Sequence, residues 1–173
     1  LLLDDIPNLD INQLYGKLPQ QLKSLSIINS QTRIDNLLQI FKREGENIRL
    51  PNLTVLNLSY NTFGTYRSIL SEKVFTMNMP SCLNVIILDY VTFPFGVLIP
   101  FLDFLFRNVN NDCDISLVQI ISSDDDFNQL DEMFGRLVSD VKNGNLELKD
   151  IHSLKWDFNP ISSNFISFLK LQT

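Results

Sequence analysis

The sequence holds little of what catalysis or cofactor binding draws on. It has one histidine, His152. Ser153 adjoins it, but consecutive residues of a strand point to opposite faces, so the two do not read as a nucleophile with its base. His152 reads instead as a surface histidine at the start of a strand. Two cysteines, Cys82 and Cys113, are too few for a disulfide framework. Two thiols and one imidazole also fall short of the four ligands of a structural zinc site. The cysteines read as buried free thiols of a reducing compartment, cytoplasm or nucleus, with a single bridge left open. The six glycines are scattered, and none builds a phosphate loop. No cofactor, metal site or enzymatic activity is expected.

Positive charge is also scarce. Lys and Arg number 14 against 20 Asp and Glu, a formal charge of −6. That argues against non-specific nucleic-acid binding, which needs a basic surface to displace counterions. It fits a basic protein partner, and equally an acidic surface that serves solubility. Long apolar runs are missing too. The most apolar stretch, Phe93 to Phe106, is broken by Pro94, Gly96, Pro100 and Asp103, so no membrane span is expected. Leu1-Leu-Leu3 is followed at once by acids and preceded by no basic segment, so it is not read as a secretion signal. With no initiator methionine, the chain is expected to be part of a larger protein. Asn52-Leu-Thr54 and Asn57-Leu-Ser59 match the glycosylation sequon, but both lie in a repeating core pattern and are read as accidental.

What is present is a pattern. Leu53 to Phe63 reads LTVLNLSYNTF, with leucines at places one, four and six, asparagine at nine and phenylalanine at eleven. Weaker copies start at Leu22, Leu83, Ile115 and Ile151, at intervals of 31, 30, 32 and 36 residues. Leu1 and Leu3 would fill places four and six of a unit whose start is missing. Between the copies lie helical patterns. Thr32 with Asp35 makes a capping box ahead of Ile34, Leu37, Leu38 and Phe41, with Gly45 as a stop. Thr65 caps a helix to about Thr76. Pro100 to Arg107 is a third, with Pro in the tolerated first turn. Ser123 caps a fourth through Phe127, Leu130, Phe134, Leu137 and Val141, ended by Asn143-Gly144. The acids Asp124 to Asp126 complement that helix's dipole and read as a solvated first turn, since a calcium loop would alternate its ligands. A last helix begins at Ser163, with Phe165, Ile166 and Leu169 inward.

The motif of Leu53 to Phe63 resembles the leucine-rich-repeat signature, and the resemblance extends over residues 1 to 173. It implies one α/β domain: a solenoid, or horseshoe, of about five complete repeats and a partial N-terminal one. Its parallel sheet would line the concave side and its helices the convex side, as in the ribonuclease-inhibitor-like class of long repeats. The rival architecture is a doubly wound α/β sheet, which also alternates strand and helix. Apolar places one, four and six with mixed places seven and eight favour the solenoid, because a strand buried on both faces is apolar nearly throughout. The long, irregular units also resemble the repeats of F-box-type substrate receptors. That likeness implies a protein partner on the concave face, as in substrate recognition for a ubiquitin ligase. The alternatives are regulation of a small GTPase and a structural docking segment of a larger assembly.

On this reading the residues between the structural leucines face the partner. Place five holds Ser26, Asn57, Ile87, Gln119 and Lys155. Place seven holds Ile28, Ser59, Asp89, Ile121 and Asp157. Place eight holds Asn29, Tyr60, Tyr90, Ser122 and Phe158. The candidate contact set is Asn57, Ser59, Tyr60, Ile87, Asp89, Tyr90, Lys155, Asp157 and Phe158. Tyr60 and Tyr90 should stand side by side, either as interface anchors or packed on each other as a cross-strand pair. Phe104 and Phe106 lie off the main face of their helix. They are expected either to meet another domain or to fold into irregular core.

Overall fold

The computed structural model describes residues 1–7, 9–10, 13–14, 17–30, 43–44, 47–48, 50–62, 79–109, 112–147, 151–157 and 159–171. Its elements follow in the order β1 (Leu2–Asp4), β2 (Ser24–Ile28), β3 (Arg43–Glu44), β4 (Asn47–Ile48), β5 (Val55–Asn57), β6 (Val85–Ile87), α1 (Leu98–Asn108), β7 (Cys113–Ser116), α2 (Asp124–Lys142), β8 (Ile151–Lys155) and α3 (Ser163–Leu169). β3 and β4 form a small antiparallel pair of their own. The other six strands make one sheet, entirely parallel, in the order β1-β2-β5-β6-β7-β8. The expected helices over residues 32–41 and 65–76, with Phe63, lie outside the described residues.

The strand order is strictly sequential, as the solenoid expectation has it. A doubly wound sheet reverses its strand order at a switch point and so carries helices on both faces. Here each crossover leads to the next neighbour without reversal. Burial agrees. Places four and six, Leu25, Ile27, Leu56, Leu58, Ile86, Leu88, Ile115 and Leu117, are at most 3 % exposed. The intervening residues Ser24, Ser26, Val55, Asn57, Val85, Ile87 and Ser116 are half-buried or exposed. Alternation with a period of two puts one set in the core, at about 1.5–3 kcal/mol per buried aliphatic side chain, and leaves the other on an open face.

Five strands of the parallel sheet, β1, β2, β5, β6 and β7, end in the same bend. Asp5, Asn29, Tyr60, Tyr90 and Gln119 all have positive φ, between 49° and 59°. Each donates its amide to a carbonyl of the following unit: Asp5 to Ile28, Asn29 to Ser59, Tyr60 to Asp89, Tyr90 to Val118 and Gln119 to Asp157. The sheet's hydrogen-bond ladder therefore continues around the bend, and in these five bends the left-handed residue is place eight. This corrects the fourth unit. The strand register pairs Ile86 with Ile115 and Ile87 with Ser116, so Ile115 holds place four and the unit starts at Asp112. Places five, seven and eight are Ser116, Val118 and Gln119, not Gln119, Ile121 and Ser122. Asn61 and Asn159, both at place nine, bond the backbone of the bend. Asn61 accepts the Ser30 amide at 2.8 Å and donates to the Ile27 and Leu58 carbonyls at 2.7 and 2.8 Å. Asn159 accepts the Ile120 amide at 2.8 Å and donates to the Leu117 carbonyl.

The helices cover the other face. α2 is capped by Ser123, whose Oγ accepts the Asp126 amide at 3.2 Å, and its buried stripe is Leu130, Met133, Phe134, Leu137 and Val138. Asp126 is not solvated as expected. It is 1 % exposed, and its carboxylate accepts the Gly96 amide and the Ser122 and Ser123 hydroxyls, tying the start of α2 to the turn before α1. Phe104 and Phe106, at 2 % and 1 % exposed, take the folded-in alternative and are not available to another domain. Phe106 packs against Phe134 and Phe168, and the same aromatic cluster takes in Trp156 and Phe165. In α3 the inward residues are Phe165 and Phe168, while Ile166 faces outward at 46 % exposed. Gly135 lets α3 close on α2: a Cβ there would sit 3.0 Å from the Asn164 amide nitrogen, which itself bonds Asp131.

Candidate functional site

The open face of the sheet and the bend at its carboxyl end carry the candidate residues. Tyr60 and Tyr90 are stacked, with ring centroids 4.8 Å apart and planes within 5°. Their spacing is that of neighbouring strands, about 4.7–4.9 Å, so the backbone register itself sets the stack. The expected packing of one ring on the other is seen. The rings pack on each other, and they remain 55 % and 37 % exposed. A left-handed backbone costs an ordinary side chain about 1–2 kcal/mol and is easiest for Asn and Asp. Asp5 and Asn29 suit place eight; the tyrosines do not. Stacking returns about 0.5–1.5 kcal/mol, so the bend is built at some expense where it presents the two rings.

Polar groups fix the surroundings of the stack. Asp89 Oδ1 accepts the Ser116 hydroxyl at 2.7 Å and the Val118 amide at 3.0 Å, which holds its carboxylate beside Tyr90. Asn57 Oδ1 accepts the Ser59 hydroxyl at 2.7 Å and amide at 3.0 Å. That bond turns Ser59 inward; at 4 % exposed it is withdrawn from the contact set. Ile87 is half-buried on the face. Lys155 and Asp157 are exposed at the far end, with Nζ 3.8 Å from the carboxylate, a surface pair of little energetic weight. Phe158 lies outside the described residues. Because the fourth unit was read three residues late, Ser116 was missed from the face and Gln119 was assigned to place five instead of place eight. The alternative reading, with Ile115 and Leu117 at places four and six, was present in the same residues.

The cysteines and the histidine lie elsewhere. Cys113 is buried and Cys82 exposed, contrary to the expectation that both are buried; both are unpaired. Burial, then the charge of Asp114, pushes the Cys113 thiol up to about 12, leaving it protonated and unreactive near neutrality. His152 lies within β8, and the bulge between β7 and β8 changes the expected geometry. His152 Nδ1 at 2.8 Å and Ser153 Oγ at 2.6 Å both meet Asp114 Oδ1. The serine donates to the carboxylate and not to the imidazole, so the three do not form a nucleophile–base relay. The Ser153 and His152 hydrogen bonds hold Asp114 below the usual carboxylate range, and Asp114 in turn raises His152. Among the described residues no group of three His, Cys, Asp or Glu side chains is placed to hold a metal ion, and no helix is long and apolar enough to cross a membrane.

A separate cleft of about 320 Å³ lies on the helical side between α1 and α2, lined in part by Asp103, Asp126 and Arg136. Its charges are of both signs, and it shares no residue with the open face.

No protein-family model matches the chain, and comparison with curated proteins and with solved structures finds no match to either.

Proposed function

We propose that the chain is a leucine-rich-repeat module that binds a protein partner on the open face of its sheet. In this reading the face is the concave side of a short solenoid, and the two tyrosines are its anchors. Asn57, Ile87, Asp89, Ser116 and Gln119 surround them. The observation that carries the reading is the Tyr60–Tyr90 stack, exposed at the carboxyl end of the strands and held on an energetically unfavourable bend. Aromatic side chains bury a large area at low entropic cost and dominate the energetics of interfaces. Two unpaired cysteines support a reducing compartment, cytoplasm or nucleus. Presentation of the partner to a ubiquitin ligase is the use implied by the likeness to F-box receptors.

The test is affinity capture with Tyr60→Ala/Tyr90→Ala beside the native chain, both checked for equal helix and sheet content. Proteins retained by the native chain and lost with the double variant support the reading. An unchanged set of captured proteins removes the tyrosines from the site.

A further inference from the structure

Resting on that reading, we infer that the partner presents a basic, arginine-bearing segment to the tyrosine stack. The charge on the rim carries the inference. Places seven and eight of the six strand units hold Asp4, Asp5, Asp89 and Asp157, and no lysine or arginine. Asp4, Asp5 and Asp157 are exposed and Asp89 is half-buried. Lys155 stands at place five and turns toward Asp157. The charged residues at these places are therefore all acidic, and one of them, Asp89, directly precedes Tyr90.

The local geometry selects among cations. Asp89 spends Oδ1 on Ser116 and Val118, and no described residue donates to its Oδ2. A carboxylate fixed through one oxygen thus belongs to the residue that directly precedes exposed Tyr90. An arginine guanidinium is planar: it stacks on a tyrosine ring while its edge donates to a carboxylate. A lysine ammonium does the second and only partly the first. The backbone groups of the bend are already taken up by the ladder between units, so recognition falls to side chains. An acidic or phosphorylated segment would meet like charge at Asp89 and no cation at places seven and eight, which disfavours it.

The experiment is selection of a random-sequence peptide library on the immobilised native chain, with recovered peptides re-measured by fluorescence anisotropy against Tyr60→Ala/Tyr90→Ala and Asp89→Asn. The expected result is enrichment of arginine over lysine and depletion of acids. Binding should weaken about tenfold or more in the tyrosine variant and severalfold in Asp89→Asn. Recovered peptides that depend on the tyrosines but carry no excess of arginine overturn this inference and leave the open-face site standing. Peptides that bind equally to the tyrosine variant, or no enriched peptide at all, overturn both. Asp89→Asn keeps an oxygen acceptor for Ser116 and Val118, so it separates charge from folding if the tyrosine variant is unstable.

Discussion

Asn61 clamps the bend of the preceding unit through Ser30: its Oδ1 accepts the Ser30 amide at 2.8 Å while its Nδ2 reaches the Ile27 carbonyl at 2.7 Å. Both groups are buried, and each would be left without a partner if the side chain were cut back. Asn61→Ala is therefore expected to destabilise the chain by about 2–4 kcal/mol, read from urea denaturation. A loss below about 0.5 kcal/mol would mean that the amide is not the clamp.

Gln119 occupies the same left-handed bend as Asn29 but lacks its local tolerance of positive φ. Gln119→Asn is expected to stabilise by about 0.5 kcal/mol, and Gln119→Val to destabilise by about 1 kcal/mol or more. Thermal denaturation of the pair checks the corrected register of the fourth unit, since the strand position of place five would favour valine over asparagine.

Phe134 lies at the centre of the aromatic cluster formed with Phe106, Trp156, Phe165 and Phe168. Phe134→Ala should cost about 3–5 kcal/mol. Phe106→Ala should cost a similar amount, because it too is buried. Unfolding curves showing Phe106→Ala to be neutral would return that residue to the surface.

The Asp114–His152 contact predicts a pH dependence. His152 is raised above 6.5 and Asp114 lowered below 3.8, so each group's contribution has its own limit. The His152 contribution is complete below its unfolded value and fades as pH rises through the folded one. The Asp114 contribution is complete above its unfolded value and fades as pH falls through the folded one. The contact is strongest between these ranges. An NMR titration of the His152 ring should give a midpoint above 6.5, returning toward it in Asp114→Asn.

Much of this arrangement was legible in the residues. Leu25, Leu56 and Ile86 announce themselves because a core position admits little but an aliphatic side chain. α2 announces itself through Ser123 and a three-and-four spacing. Its neighbour α1 was also read, from Pro100 to Arg107, but seven of its residues are buried, so its buried surface is wider than the one face the spacing marks. That is why Phe104 and Phe106 stood ambiguous. The fourth unit misled because Ile115, Leu117, Val118 and Ile120 satisfy the pattern in two frames, and only backbone pairing with Ile86 chooses. Asp126 looked solvated because its partner, the Gly96 amide, is thirty residues away in sequence and near only in the fold. At the site, the place of Tyr60 and Tyr90 was readable. Their stacking distance and strained bend were not, because both come from the register of adjacent strands.

The central claim is that a protein docks on the open face at the tyrosine stack. Its most direct test replaces Ile87, half-buried on that face, with a photo-crosslinking phenylalanine derivative, and does the same at exposed Gln129 on α2. Both variants are irradiated in the cells that make the protein. A discrete crosslinked adduct from position 87, absent at 129 and lost when Tyr60 and Tyr90 are alanine, is the result predicted. Adducts from position 129 with none from 87 would contradict the account and move the interface to the helical side.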